Sequence, residues 1–380
     1  MGSMDKKSLI DTACQDLLTY GVWDGKHRFK YLIKKYGLRR TEAPQDLIFW
    51  PTGLLAVGLW QCRQEIEERQ SDEKGAEISR RSDPEEHDGR QESAWIEWTL
   101  RSYYDRWIEK GCKILWMDDL LAGETLLSLW ETYQGKEDDH GVMNRKTLES
   151  YRQAVEKLAA FALSYPVDEA GSFPYREAQK NGFIFADSIG LACPFLYQYG
   201  AAYDRKETME LAVKQILNFL AYGMDDTTGL PYHGYRIKDD CKYGIIGWGR
   251  AVGWLLRGMA GCMATAYGAE RLADSYVGIV DAALMFQRKD GYFSWQLQAL
   301  EGPADTSATG MICAALKQGI ALGILQDQKY EQALQAGRNA VEKSIKDGRV
   351  YDCSGECEGF GQYPQRYGAY PWALGTALML

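Results

Sequence analysis

A loose repeat of about sixty residues constrains this chain more than any local propensity does. A glycine opening a short apolar or aromatic segment recurs at Gly111 (GCKILW), Gly171 (GSFPYR), Gly229 (GLPYHG), Gly291 (GYFSWQ) and Gly348 (GRVYDC). The successive separations are 60, 58, 62 and 57 residues. Each glycine follows a stretch of helical periodicity, as a helix C-cap does. Those stretches cover 92–109, 149–164, 206–222, 268–287 and 330–346. In the third, Met209, Ala212, Val213, Ile216, Leu217 and Leu220 form one apolar stripe, with Lys214 and Asn218 away from it. Such a helix keeps one face on a core and the other in water.

A second, more apolar helix follows each glycine segment. Its starts fall near Thr52, Asp118, Asp187, Arg250, Ser307 and Pro371, and its residues are small: GLLAVG, SIGLACPFL, AVGWLLRGMAG, SATGMICAAL. Helices apolar on most faces are buried, and small side chains let them approach closely. With residues 7–19 as the first outer helix, six buried helices and six outer partners result. The expected fold is therefore all-α, an (α/α)6 toroid with an inner ring inside an outer one. Closure buries every apolar face without the polar end caps of an open solenoid. An open array of helical hairpins is the alternative.

The 380 residues exceed the usual single-domain length, yet no Pro/Gly/Ser linker divides them, so one domain over 1–380 is expected. The hydrophilic run from Glu65 to Glu92 reads as an insertion, either a loop or an extended helix end. A formal charge of -9 argues against a nucleic-acid partner, and the one basic cluster (Lys34, Lys35, Arg39, Arg40) suits a solvated helix end. No apolar run is long enough to span a membrane and no secretory pattern opens the chain. The opening MGSM has the look of an expression scar, which leaves an earlier leader segment open. Nine scattered cysteines fit a reducing cytoplasm, and Cys353 with Cys357 makes a poor zinc site. Nothing marks an oligomer contact, so a monomer or weak homo-oligomer is expected. No phosphate loop, dinucleotide fingerprint or histidine metal motif is present, so chemistry without cofactor or metal is the default. The 12 Trp and 24 Tyr are largely packing, but they also supply the flat faces a sugar cavity needs.

Chemistry-bearing residues collect where the inner helices begin, which in a hairpin repeat all lie at one end. Asp118 and Asp119 stand in WMDDLLAG, Asp187 in FADSIGLACPF, and His233, Tyr235 and Arg236 in LPYHGYR. Trp248, Arg250 and Trp254 stand in GWGRAVGW, Trp295 in YFSWQ, and Asp305 in PADTSATG. An Asp at a helix start is most often an N-cap, a role that fits Asp305 or Thr306 well. Asp187 fits it less well, between an aromatic run and an apolar helix, where burial would raise its pKa toward that of a general acid. Two carboxylates from neighbouring inner helices, Asp187 and Asp118, suit acid/base work on an acetal. Adjacent Asp118 and Asp119 cannot share a direction. His233 is either a ligand contact or a structural histidine. Arg250, opening an apolar helix, either pairs with Asp187 or Asp118 or clamps a substrate carboxylate. Trp248, Trp254 and Trp295 are stacking platforms or core.

The ordered set WMDDLLAG, FADSIGLACPF, TGLPYHGYR, GWGRAVGW, GYFSWQ and DTSATGMICAALKQGI resembles the unsaturated glucuronyl/rhamnogalacturonyl hydrolases, glycoside hydrolase families 105 and 88, over residues 45–380. The resemblance implies a six-hairpin toroid and removal of a 4,5-unsaturated uronic acid from lyase-generated oligosaccharides. It implies Asp187 as principal acid/base, Asp118 as its assistant, and His233, Trp248, Arg250, Gly253 and Trp254 as substrate contacts. Arg236 competes with Arg250 for the uronate carboxylate. Tyr175 stands where the family carries a histidine, Tyr235 and Arg236 replace a Trp-Asp pair, and the last inner helix stops at Leu380. These departures bear on the sugar and linkage. Another toroid enzyme (a classical glycosidase or sugar epimerase) and a non-catalytic glycan-binding protein are the competing readings; fold alone does not separate them.

Overall fold

The computed structural model describes residues 3–20, 47–76, 84–134, 144–175, 182–358 and 361–380. Among these, twelve α-helices alternate between two rings. The outer helices are α1 (Ser3–Thr19), α3 (Pro84–Glu109), α5 (Arg145–Leu163), α7 (Lys206–Tyr222), α9 (Ala266–Leu284) and α11 (Gln328–Lys343). The inner ones are α2 (Trp50–Ala76), α4 (Leu121–Tyr133), α6 (Ala186–Ala202), α8 (Gly249–Gly261), α10 (Thr306–Ala321) and α12 (Pro371–Leu378). Each inner helix packs on the next around the ring, and α12 packs on α2. The chain is thus a closed (α/α)6 toroid, as the repeat implies.

Closure depends on side-chain absence at the seam. A Cβ on Gly58 of α2 would lie 2.2 Å from the carbonyl oxygen of Gly375 in α12, so the two backbones touch. The seam is further tied by Glu65 of α2, which takes Lys6 of α1 at 3.0 Å and also Lys317 of α10; Lys317 in turn donates to the Met379 carbonyl. Deeper in the barrel, the guanidinium of Arg257 (α8) spans both oxygens of Glu124 (α4) at 2.8 Å and also donates to the Gly190 carbonyl of α6. Three inner helices are held by one pair.

The five repeat glycines all take positive φ, between 68° and 92°. Gly111 closes its helix as expected, its N–H going to Ile108 and that of Cys112 to Trp107. The other four sit instead in turns beyond the helix end; Gly171, for example, donates to Asp168 and Gly291 to Arg288. Left-handed backbone is needed there to swing the chain toward the next inner helix, which is why glycine recurs without being a cap. The stripe on α7 holds for Ala212, Val213 and Ile216, but Leu217 is 42% exposed, and Phe219 fills the core in its place. The hydrophilic run after Glu65 is largely helical, since α2 extends to Ala76 and α3 begins at Pro84. The basic cluster at 34–40 lies outside the described residues. Among the described residues, no helix is long and apolar enough to cross a membrane.

Short strands decorate the end where the inner helices begin. β1 (Ile184–Phe185), β2 (Gly234–Arg236) and β3 (Cys241–Tyr243) form an antiparallel sheet in that order, with Phe185 opposite Gly234. β4 (Ile345–Lys346) pairs with β5 (Arg349–Val350), and β6 (Cys353–Ser354) with β7 (Tyr367–Gly368).

Candidate active site

The β1–β2 pairing sets the geometry of the site. β1 runs directly into α6, and the N–H of Ala186 donates to the carbonyl of His233 at 2.9 Å. This bond fixes the first turn of α6 beside the loop preceding β2. Asp187 and His233 thereby meet, with Oδ2 of the carboxylate 3.0 Å from Nε2 of the imidazole. Asp187 keeps 17% of its side chain exposed, whereas His233 is buried. Aromatic rings enclose the imidazole, Phe185 at 4.7 Å and Trp248 at 4.4 Å between centroids. The far nitrogen, Nδ1, lies 2.9 Å from the hydroxyl of Tyr363.

The second carboxylate comes from the neighbouring inner helix. A 3-10 turn at Met117–Leu120 precedes α4 and buries both aspartates. Asp119 faces inward and accepts the N–H groups of Leu115 (2.7 Å) and Trp116 (3.1 Å), so it holds the turn. Asp118 faces the other way and accepts the hydroxyl of Tyr175 at 3.1 Å. Tyr175 meets Phe185 edge-on at 5.7 Å, and Phe185 in turn covers His233. One aromatic wall therefore joins the Asp118 side of the site to the Asp187 side.

The remaining sequence candidates divide. Trp248 lies against His233, and both Trp248 and the partly exposed Trp295 reach Tyr363, at 5.3 Å and 6.0 Å. Trp254 is buried beside Trp50 at 6.2 Å and against Gly190, in the interior rather than at the mouth. Arg250 is buried and does not pair with Asp187 or Asp118. Its Nη1 donates to the Ser354 carbonyl (2.9 Å) and hydroxyl (2.6 Å), its Nη2 to the Gly355 carbonyl (2.7 Å), and Asp305 stands 4.0 Å away. Asp305 caps α10 through Ser307 and also accepts the Ser354 amide, so the cap expected there is present and shared. Arg236 is half-buried at the rim, forked onto Asp239 at 2.8 and 2.6 Å and stacked over Phe183 at 4.3 Å. Burial and the nearby Asp187 charge push the Cys357 thiol up to about 12.

Tyr363, Phe185 and Ser354 belong to the site and escaped the sequence reading. Tyr363 sits in the β6–β7 excursion, outside the repeat segments, and contacts His233 from 130 residues away. The left-handed Gly244 is the one usable signal: a Cβ there would fall 2.5 Å from the Tyr363 hydroxyl and 2.6 Å from Cβ of His233.

A six-hairpin toroid that brings carboxylates to the starts of neighbouring inner helices is an arrangement that carbohydrate-active enzymes use. Residues 90–380 match the family model described as Glycosyl Hydrolase Family 88, which covers well over half of the chain. The chain belongs to that family, and its activity is that of a glycoside hydrolase. The 24.9 kDa protein in the picA locus of Rhizobium radiobacter is 32% identical over 170 residues, 40% of this chain and 70% of that protein. Among solved structures, a possible member of family 105 from Klebsiella pneumoniae superposes with a TM-score of 0.77 at 16% identity, over 100% of this chain and 92% of that one. Unsaturated glucuronyl hydrolase from Bacillus sp. GL1 superposes at 0.59 with 16% identity, over 97% and 95%. At such identities the superpositions speak for the fold.

Proposed function

We propose that the protein removes a 4,5-unsaturated uronic acid from the non-reducing end of lyase-generated, rhamnogalacturonan-type oligosaccharides by hydrating the vinyl ether. The observation that carries this reading is the Asp187–His233 contact at the opening of α6, with Asp118 presented from the adjacent 3-10 turn. Asp187 delivers a proton to C4, and positive charge develops at C5 and the ring oxygen. Asp187, now a carboxylate, takes a proton from the water that adds at C5. The hemiketal then opens and the neighbouring sugar is released. Asp118, held by Tyr175, steadies the developing charge.

Within this reading the carboxylate contact falls to Arg236 rather than Arg250. Arg250 is buried and directs both of its Nη atoms to Ser354 and Gly355, while Arg236, forked onto Asp239, is partly exposed at the rim on the β2 strand that follows His233. Trp295, partly exposed, offers the stacking face; Trp248, buried against His233 and Arg250, and Trp254 serve packing. All nine cysteines are free thiols, which supports a reducing compartment such as the cytoplasm.

The test is loss of the ultraviolet absorbance of the conjugated double bond, followed on unsaturated rhamnogalacturonan and glycosaminoglycan disaccharides. Turnover is expected on the former above the latter. A folded protein that consumes no unsaturated uronide would sink the proposal.

A further inference from the structure

We propose that Tyr363 is a positioning residue that fixes the tautomer of His233 and thereby confines the acid proton of Asp187 to one oxygen, Oδ1. The inference rests on the reading of Asp187 as the acid. Its starting point is the hydrogen-bond bookkeeping around one phenol. The backbone N–H of Ile245 donates to the Tyr363 oxygen at 3.4 Å, so this neighbour supplies a proton and offers no acceptor for the phenol's own. The hydroxyl proton is then directed to the other neighbour, Nδ1 of His233 at 2.9 Å. A nitrogen that accepts carries no proton, so the neutral imidazole bears its proton on Nε2. Nε2–H donates to Oδ2 of Asp187 at 3.0 Å. With Oδ2 engaged as an acceptor, a proton taken up by Asp187 resides on Oδ1.

The surroundings are built for this chain of contacts. Gly244 holds φ at +80° and leaves the space that the Tyr363 hydroxyl and the His233 Cβ both fill. Phe185 and Trp248 clamp the imidazole plane. The loop carrying Tyr363 is anchored at its base by Arg250, through Ser354 and Gly355, and by the Gly355 amide on the Arg366 carbonyl. Besides Asp187, the ionisable groups facing this cluster are Cys357 and Tyr243, with Arg250 and Glu356 acting on Cys357. Burial pushes both the Tyr363 phenol and the Cys357 thiol up, so each stays neutral in the working range.

Tyr363→Phe removes the donor to Nδ1 and leaves the ring. The imidazole proton is then no longer confined to Nε2, and Asp187 loses the fixed donor on Oδ2. kcat/KM on an unsaturated disaccharide should fall by about tenfold, as the loss of one positioning hydrogen bond implies. The direct readout is nitrogen NMR of the full chain with labelled histidine, the His233 signals being assigned by their loss in His233→Asn. Unmodified protein is expected to show bare Nδ1 and protonated Nε2, and Tyr363→Phe a mixture of the two tautomers. Gly244→Ala, which displaces the hydroxyl without deleting it, should shift the same signals. A proton on Nδ1 in the unmodified protein, or an unchanged His233 tautomer in Tyr363→Phe, overturns the proposal. The NMR arm needs no substrate, so it stands apart from any failure to turn over an unsaturated uronide.

Discussion

The hydroxyl of Tyr175 donates to Oδ2 of Asp118 at 3.1 Å inside the barrel mouth. A hydrogen bond to a charged group contributes about 1.5–3 kcal/mol, and each 1.4 kcal/mol is a factor of ten in rate. Tyr175→Phe should therefore lower kcat on an unsaturated disaccharide by about tenfold or more while the fold is kept. Tyr175→His, which restores a donor, should recover part of the loss. Steady-state kinetics decide, and unchanged rates in Tyr175→Phe would remove Asp118 from the reaction.

Asp187→Asn should abolish turnover to within detection, a loss of at least about 10²–10⁴-fold. The asparagine still fills the space beside His233, so circular dichroism and thermal unfolding should change little. Near-normal activity contradicts the acid role.

Arg250→Ala is expected to act on stability first. It removes the cation that stands 4.0 Å from buried Asp305 and takes the Arg250 donors from the Ser354 and Gly355 carbonyls. Breaking one side of a buried pair costs about 3–5 kcal/mol. Denaturant titration reads this directly, and a stable variant that has lost only substrate affinity would return Arg250 to a clamp role.

Glu65 gives a pH prediction. Burial raises its pKa, but Lys317 and Lys6 outweigh that and hold it below the ordinary carboxylate value. A depressed folded pKa means that its stabilisation is complete above the unfolded pKa and is lost as pH falls through the folded one. Unmodified protein should lose stability relative to Glu65→Gln over that acid window, as followed by thermal unfolding. Parallel curves for the two proteins would show that the seam pair contributes nothing.

Gly58→Ala should force the seam apart, because the new methyl meets the Gly375 carbonyl. Overpacking of this kind costs about 1–3 kcal/mol. A lowered Tm with activity lost in proportion is expected, and an unchanged Tm would mean that the seam is looser than described.

Much of the architecture could be read before any coordinates, because a repeat displays the same physical problem six times. The inner-helix starts expected near Thr52, Asp187, Arg250, Ser307 and Pro371 fall within two residues of those observed at Trp50, Ala186, Gly249, Thr306 and Pro371, whereas near Asp118 a 3-10 turn comes first and α4 begins only at Leu121. Small residues in apolar runs announce close helix contact wherever they occur. The partners of individual side chains are a different matter. Arg250 looked like an anion clamp since a cation opening an apolar helix needs some acceptor; that the acceptors are the Ser354 and Gly355 carbonyls depends on a loop hydrogen-bonded across 104 and 105 positions. Tyr363 was illegible for the same reason, since its segment carries no period. Between Asp118 and Asp119, composition offered no choice, whereas the Leu115 and Trp116 amides separate their roles.

The glycine contact between α2 and α12 joins an early helix to the last described one. Synthesis delivers the chain N-terminal end first, and contacts between distant segments form late because the loop between them must be closed. A chain still emerging from the ribosome thus holds an open crescent, with the bare Gly58 face and its apolar neighbours turned to solvent until α12 arrives. For that interval the seam has no partner, and the arrival of α12 brings it to an end.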